Sequence, residues 1–339
     1  MKSVAVEQAE GMILCHDMTE IIPGSSKGRA FKKGYVIRKE DIPRLLTMGK
    51  EHIYVWEIND NTLHENDAAI RIAQGVTGAG IVLTEPHEGK VDLKAQHRGL
   101  LKIRTDAIEA INDIEEVVLA TVHTNQVVPA GKVVAGCRVV PLVINADKIR
   151  QVERICHLNL PIVEVKRLRS MRIGIVTTGS EVYYGRIQDG FGPVIKNKID
   201  EFGCTVVRQI FVADSVSMIV EAIHTLIREG AEMIITTGGM SVDPDDVTPA
   251  GIRATGGHIV LYGAPVLPGS MFMLAYIDSV PVLGLPGCVM YHKTTIFDLV
   301  FPRILAGEDI TRKDIVRLAH GGLCANCKTC RYPECSFGK

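Results

Sequence analysis

Three carboxylates follow a glycine turn in the second half of the chain. The segment reads Ile234-Ile235-Thr236-Thr237-Gly238-Gly239-Met240-Ser241-Val242-Asp243-Pro244-Asp245-Asp246. Its two glycines would let a ligand approach the backbone closely, and free amides at the start of the following helix can hold an anion. The aspartates supply oxygen ligands of the kind that a hard divalent cation prefers. The segment therefore predicts a site for a phosphorylated ligand together with its metal.

Four cysteines form a second chemically distinctive group, near the carboxyl end. Of the nine cysteines in the chain, these are Cys324, Cys327, Cys330 and Cys335. In a reducing compartment, such closely spaced thiols indicate a metal or a cluster. Successive spacings of three residues resemble the wrap around an iron–sulfur cube, whereas a zinc ion usually takes two separated Cys-x-x-Cys pairs. The sequence is compatible with three interpretations of this segment: an iron–sulfur (4Fe–4S) cluster site, a zinc site, or a metal-free tail that handles sulfur.

The composition predicts a multi-domain protein without a nucleic-acid or membrane partner. At 339 residues the chain is too long for one ordinary core, so we expect two or three domains. A net charge of −1 argues against nucleic-acid binding, which usually needs a basic surplus. The first residues lack the apolar core of a signal peptide, and no run approaches the ~18 apolar residues of a membrane span. We therefore expect a soluble cytoplasmic protein.

Strands and helices are expected to alternate regularly between residues 171 and 307. Strands are expected at 172–177, 204–212, 232–237, 258–261, 271–276 and 280–283, and helices at 193–202, 216–227, 289–306 and just before 257. Asp214 or Ser215 is expected to cap the second helix. Single helices between strands require right-handed crossovers, so the predicted fold class is α/β, a three-layer, doubly wound and mostly parallel sheet. The turns at 178–181, 237–239 and 285–287 are expected at the ligand-binding edge of that sheet.

The first 170 residues are less regular and predict a smaller, β-rich mixed region before the sheet. Strands are expected at 11–22, 52–57, 81–83, 117–122, 133–144 and 161–165, and helices at 40–48, 64–74 and 147–157. The basic and polar stretch 166–170 is expected to be a linker. We divide the chain into an amino-terminal segment (1–60), a β-rich module (61–168), the α/β domain (169–309) and a cysteine-rich tail (310–339).

Three motifs of the α/β block stand in an order that is specific to one family. They are an opening strand and turn at 175–181, the glycine turn at 237–242 and a late signature at 284–287. In these motifs the block resembles the molybdopterin-binding domain shared by molybdopterin adenylyltransferases and molybdenum-insertion enzymes. Segments 11–19 and 33–37 resemble the amino-terminal part of molybdenum-insertion proteins more weakly, with a basic loop between them that contains Lys27, Arg29, Lys32 and Lys33.

This resemblance implies both a ligand and a set of site residues. The ligand would be a pterin dithiolene phosphate, molybdopterin or its adenylylated form, and the reaction its hydrolysis as molybdate enters the dithiolene. The expected ligand-binding residues are Thr178, Gly179, Ser180, Glu181, Thr237, Gly238, Gly239, Ser241, Pro286 and Gly287. The expected ligands of Mg²⁺ are Asp243, Asp245 and Asp246, and the expected catalytic residues are Asp246 and Asp189. Each aspartate could instead cap a helix, and Glu181 could be a surface residue.

At three places the chain departs from the pattern of the insertion enzymes. It has Gly190-Phe191 in place of a Thr-Asn or Ser-Asn pair, Ser270 in place of a lysine and Cys288 in place of an asparagine. The changes remove a fixed cation and neutral hydrogen-bond donors, so ligand binding should survive them better than catalysis.

Three hypotheses for the function follow from the resemblance and the departures. The first is a molybdopterin molybdenumtransferase, and the second is a non-catalytic carrier or sensor that delivers the cofactor to a molybdoenzyme. A nucleotide pyrophosphatase similar to the competence-damage protein family is a third. We also expect a homo-oligomer.

Overall fold

The computed structural model describes residues 2–22, 26–55 and 61–339. The chain folds into two compact units. The first comprises Met1–Gln96, Ile103–Val122 and Ala130–Glu164, and the second His97–Lys102, His123–Pro129 and Val165–Lys339. Within the described ranges, every helix is too short or too polar to span a bilayer.

The regular elements are numbered along the chain. The strands are β1 (Lys2–Ala5), β2 (Met18–Ile22), β3 (Ser26–Phe31), β4 (His52–Val55), β5 (Thr62–His64), β6 (Ile81–Leu83), β7 (Lys90–Ala95), β8 (Gly99–Ile103), β9 (Val117–Thr121), β10 (Val127–Val128), β11 (Val133–Val139), β12 (Val143–Asn145), β13 (Val163–Lys166), β14 (Arg172–Thr178), β15 (Thr205–Val212), β16 (Met233–Thr237), β17 (His258–Tyr262), β18 (Met273–Ile277) and β19 (Val280–Leu285). The α-helices are α1 (Ile42–Thr47), α2 (Glu65–Val76), α3 (Thr105–Asn112), α4 (Ala146–Asn159), α5 (Ser180–Tyr183), α6 (Phe191–Asp200), α7 (Val216–Arg228), α8 (Thr248–Ala254), α9 (Ile296–Leu305) and α10 (Arg312–Val316).

The first unit is rich in short antiparallel strands, as the sequence predicts. Its largest sheet has the order β6-β7-β11-β9, and α2 packs on β7 and β11. The single strand expected at 133–144 is two strands, β11 and β12, separated at Pro141, which has no amide hydrogen for a ladder bond. The strand expected at 11–22 is regular only in β2, preceded by isolated bridges at Ile13 and Leu14. Part of the strand expected at 52–57 lies outside the described residues.

The basic loop of the first unit is held by an acidic residue. The Arg29 guanidinium lies 2.9 Å from Asp17 Oδ2, and the Lys33 amide donates to Asp17 Oδ1 at 2.8 Å. The side chain of Lys27 lies outside the described residues.

The second unit contains a six-stranded sheet in the order β15-β14-β16-β19-β18-β17. The first four of these strands run parallel, and β18 and β17 are antiparallel. Consecutive residues of β14 belong to hydrophobic cores on opposite faces of the sheet. Ile175 is in the same core as Ile195 of α6 and Phe297 of α9. Val176 is in the same core as Ile219 of α7 and Ile252 of α8. Helices therefore cover both faces of the sheet, and the predicted α/β, mostly parallel class is confirmed.

The helix expected at 289–306 is interrupted. A short 3-10 helix covers Gly287–Met290, and α9 begins only at Ile296. Thr295 starts α9 with a capping box, in which Asp298 Oδ2 accepts from the Thr295 amide at 2.7 Å and Thr295 Oγ1 accepts from the Phe297 amide at 3.3 Å. The intervening segment is thereby free to form part of a cavity wall.

A buried arginine joins α9 to α10. Arg303, 5% exposed, places its Nε 2.8 Å from Glu308 Oε2 and its Nη2 2.9 Å from Asp314 Oδ1. Burial alone would raise the pKa of the Asp314 carboxyl, but hydrogen bonds from Thr311 and Arg303 outweigh it and lower that pKa to about 2. The ionised form of Asp314 therefore stabilises the fold.

Replacing Asp314 by asparagine is expected to lower the free energy of unfolding by about 2 kcal/mol near pH 7. Because the pKa is lower in the folded state, this stabilisation is present above about pH 4 and should shrink to about half by pH 3. Urea unfolding of both proteins between pH 7 and pH 3 measures it. Asp200→Asn, which changes an exposed carboxylate of α6, is the control. A loss that stays constant over this pH range would contradict the assignment.

Candidate functional site

Buried threonines lock together the carboxyl ends of two neighbouring parallel strands. Thr177 Oγ1 of β14 lies 3.1 Å from Thr237 Oγ1 of β16. Thr178 Oγ1 donates to the Thr237 carbonyl at 3.2 Å and lies 2.8 Å from Thr248 Oγ1, at the start of α8. All four hydroxyl-bearing residues are buried. The two strand ends and the first turn of α8 therefore form one fixed unit.

The conformation of the glycine turn after β16 requires residues without a side chain. Gly238 has a φ of +87°, and a Cβ there would lie 2.1 Å from the carbonyl oxygen of Thr178. Gly239 follows at a φ of +52°, where a Cβ would lie 2.8 Å from Thr248 Oγ1. A residue with a side chain would clash with backbone in the first case and adopt a strained conformation in both. The glycine turn thus brings its backbone directly against the end of β14.

The aspartates after the glycine turn form a compact loop. The Asp246 amide donates to the Asp243 carbonyl at 2.9 Å, and the Asp243 amide lies 3.3 Å from Asp246 Oδ2. The Thr248 amide returns to the Gly239 carbonyl at 3.2 Å. Asp243 and Asp246 line the adjoining cavity, whereas Asp245 is exposed and does not.

A cavity of about 630 Å³ lies at this edge of the sheet and is lined by residues of all three predicted turns. It contains eight of the predicted site residues in its lining, namely Glu181, Gly238, Gly239, Ser241, Asp243, Asp246, Pro286 and Gly287. Among its described lining residues, three are carboxylates and none is lysine or arginine. We name this space the glycine-turn cavity.

Other predicted residues lie behind the wall of the cavity. Thr178 and Thr237 belong to the buried threonine cluster. The Ser180 amide donates to Asp214 Oδ2 at 2.7 Å, which fixes the turn that also contains Gly179. Asp214 therefore ties the first turn to the end of β15. Ser215 occupies the N-cap position of α7, one of the two positions expected, but its side chain makes no cap hydrogen bond there.

Asp189 does not line the glycine-turn cavity. Its Oδ1 accepts from the amides of Phe191 at 2.8 Å and Gly192 at 3.1 Å, and its Oδ2 accepts from Gln209 Nε2 at 2.6 Å. Asp189 precedes Gly190, the N-cap residue of α6, and its bonds to the two amides give it the capping role that the sequence offered as the alternative to catalysis. Through them it holds the start of α6, and Phe191 there lines the cavity.

The remaining lining residues were not among the predicted ligand-binding residues. Met240 and Leu285 belong to the motifs noted in the sequence, and Phe191, Ser270 and Cys288 were noted there only as departures from the family pattern. Leu267, Pro268, Gly269 and Met271 were not assigned to the site. The Pro268-Gly269 pair was the available signal, since such pairs mark turns. Burial raises the pKa of the Cys288 thiol, so this side chain contributes no charge to the cavity near neutral pH.

The tail cysteines line a different cavity of about 370 Å³, the cysteine cavity. All four, Cys324, Cys327, Cys330 and Cys335, are free thiols in its wall. In the part of the chain that the structure describes, no group of three or more histidine, cysteine, aspartate or glutamate side chains is arranged as a ready site for a metal ion. Neither the metal ligands expected at Asp243, Asp245 and Asp246 nor the four tail thiols are therefore gathered around one point in the described residues.

Comparison with known families identifies two regions of the chain. Residues 174–306 match the family described as "Probable molybdopterin binding domain". Residues 3–57 match a domain of unknown function.

Curated relatives align with only part of the chain. A CinA-like protein from Mycobacterium sp. (strain MCS) is 37% identical over 93 residues, which cover 27% of this chain and 22% of that protein. A molybdopterin molybdenumtransferase from Haemophilus influenzae is 27% identical over 153 residues, which cover 43% of this chain and 37% of that protein. The chain thus spans well under half the length of these relatives.

Similar solved structures also align with only part of the chain. The molybdopterin biosynthesis enzyme MoaB from Thermus thermophilus shares 22% identity, with a TM-score of 0.33, over 41% of this chain and 98% of that one. The CinA protein from Thermoplasma acidophilum shares 17% identity, with a TM-score of 0.32, over 35% of this chain and 89% of that one. The family match at 174–306 covers β14 to α9, which carry the glycine-turn cavity. This α/β segment, residues 174–306, is the part of the chain that matches the family described as "Probable molybdopterin binding domain".

Proposed function

We propose that the glycine-turn cavity binds molybdopterin, free or adenylylated. The observation that supports this most strongly is the meeting of the 238–239 and 286–287 turns in one cavity of about 630 Å³. Backbone amides of such turns can bind phosphate oxygens without a charged side chain. Glu181, in the same lining, would accept hydrogen bonds from the N–H groups of a pterin ring.

The charges of the cavity imply that the phosphate binds together with a divalent cation. The described lining carries Glu181, Asp243 and Asp246 but no cationic side chain. Without a counter-ion, a phosphate would meet like charges at short range, which is unfavourable in a partly enclosed site. Carboxylate oxygens suit Mg²⁺, which usually takes one or two of them and keeps several waters. Asp246, with Asp243 beside it, is the residue we assign to this cation.

We further propose that the protein is a molybdopterin molybdenumtransferase. The adenylylated pterin would be hydrolysed to release AMP as molybdate enters the dithiolene. When bound, the cation would offset charge on the phosphate oxygens. The protein would orient the ligand through the glycine turns and Glu181, while Asp189 positions Phe191 at the cavity wall. As part of the same proposal, the protein would assemble as a homo-oligomer, and a molybdoenzyme would receive the cofactor from it.

A cofactor carrier or sensor is the second candidate. Ser270 and Cys288 both line the cavity, where a lysine and an asparagine would provide a cation and a neutral donor. Their replacement removes groups that could stabilise charge during a reaction but leaves the backbone turns intact. The carrier hypothesis therefore differs from the enzyme hypothesis in turnover and not in binding.

Turnover is tested with adenylylated molybdopterin, Mg²⁺ and molybdate. AMP release that depends on molybdate is the result expected of a molybdenumtransferase. Tight binding without AMP release would reject the enzyme and support the carrier. Equal hydrolysis of an unrelated dinucleotide pyrophosphate would instead support a pyrophosphatase, the third hypothesis.

The cation is tested by measuring molybdopterin binding with Mg²⁺ and with EDTA. Chelation is expected to weaken binding to the wild-type protein about tenfold, or about 1.4 kcal/mol. Asp246→Asn should lose turnover, keep binding within about tenfold and show a smaller effect of EDTA. Asp245→Asn, the same change on the exposed neighbour, is the matched control and should behave as wild type. If the affinity of the wild-type protein for molybdopterin were the same with and without EDTA, the role of the cation would be contradicted.

The position of the ligand is tested with Gly287→Val. A Cβ at Gly287 meets no atom within 4 Å, so the fold should tolerate the side chain, which would occupy space in the cavity. We expect at least about tenfold weaker molybdopterin binding, or about 1.4 kcal/mol, with an unchanged melting temperature. Unchanged affinity in this variant would place the ligand elsewhere.

A further inference from the structure

We propose that the four tail cysteines bind an iron–sulfur cluster in the cysteine cavity. This is a second site of the α/β unit, and binding there does not depend on the pterin proposal. The cavity measures about 370 Å³ and is lined by Cys324, Cys327, Cys330 and Cys335.

The cysteine segment is a closed loop whose two ends meet. The Gly338 amide donates to the Gly321 carbonyl at 2.9 Å. Phe337, 2% exposed, belongs to the same hydrophobic core as Phe297 and Phe301 of α9. A loop whose ends are joined and whose last side chain is anchored in the core can hold its inner residues in place without regular structure. The thiols are therefore presented by an ordered loop and not by a free terminus.

Neighbouring segments fix individual cysteines along this loop. The Cys324 amide donates to the Leu267 carbonyl at 2.8 Å, and the Leu267 amide donates to the Gly322 carbonyl at 2.8 Å. These two bonds form a short bridge that sets the first thiol in position. The hydroxyl of Thr294 lies 3.4 Å from the Cys330 sulfur. Cys327, by contrast, is exposed and lines the cavity from the solvent side.

The cysteine spacing favours a cluster over a single ion. A tetrahedral zinc ion usually takes two separated Cys-x-x-Cys pairs. Spacings of three, three and five residues resemble those of a cluster-binding run and lack the gap between two zinc-type pairs.

The surroundings supply positive charge where a thiolate-bound cluster would be negative. Lys293, Lys328 and Arg331 line the cysteine cavity together with the four thiols. Each thiol loses its proton on ligation, so the bound centre carries a net negative charge that these cations offset. Charge of this kind around a cluster also influences its reduction potential.

The cysteine cavity shares its supporting segments with the glycine-turn cavity. Leu267, which pairs with the tail, also lines the glycine-turn cavity. Thr294 follows shortly after Cys288 in the segment between β19 and α9. The cluster would thus be held by the same two segments that border the pterin.

The cluster is tested on the full chain, purified without oxygen and reconstituted with ferrous iron and sulfide. We expect about four irons and four acid-labile sulfides per chain, with visible absorption that dithionite bleaches. One zinc per chain without sulfide would overturn the cluster and assign the thiols to a zinc site. A protein that takes up neither metal would overturn the proposal altogether.

Cys327→Ala tests whether the tail thiols are the ligands. Because Cys327 is exposed, the metal-free variant should unfold at the same temperature as the metal-free wild type, while its iron and sulfide content falls at least about twofold. Thr329→Ala, in the same exposed stretch, is the matched control and should keep the full content. A Cys327→Ala protein with full iron and sulfide would overturn the assignment. Loss of pterin binding in a cluster-loaded protein would count against the pterin proposal alone.

Discussion

The close approach of Gly238 to the carbonyl of Thr178 is the constraint on which the site depends. At this point the ends of β14 and β16 are so near that a single methyl group would lie 2.1 Å from an oxygen. The threonine hydroxyls around it, Thr177, Thr178 and Thr248, hold the strand ends at this separation. The aspartate loop that follows this turn lines the same cavity as the turn after β19.

The charge of the glycine-turn cavity distinguishes this domain from a site that binds anions with basic side chains. Its described lining offers backbone amides and carboxylates. Such a surface is suited to a ligand that arrives with its own cation, because the carboxylates then attract the pair and repel the bare phosphate. The neutral Ser270 and Cys288 reinforce this dependence. Cation binding and ligand binding should accordingly be coupled.

The α/β domain could be predicted from the sequence because each element carried a local signal. Periodic apolar residues in α7 and the glycine turns after β14 and β16 indicated a mostly parallel sheet and the edge of it at which ligands bind. The roles of individual aspartates could not be predicted in this way. Whether Asp189 faces a ligand or caps α6 depends on a hydrogen bond from Gln209 of β15. The position of Leu267 in the cavity wall depends on its backbone hydrogen bonds to the tail. Contacts of this kind join segments that are far apart in the chain, so they cannot be predicted from the local periodicity of apolar residues.

The most direct test is a crystal structure of the protein with molybdopterin and Mn²⁺ in place of Mg²⁺, with the manganese located by anomalous scattering. The account predicts a manganese peak between the ligand phosphate and a carboxylate of Asp246 or Asp243, with the phosphate against the backbone of Gly238 and Gly239. A pterin bound outside the glycine-turn cavity, or a phosphate held there with no cation beside it, would contradict it.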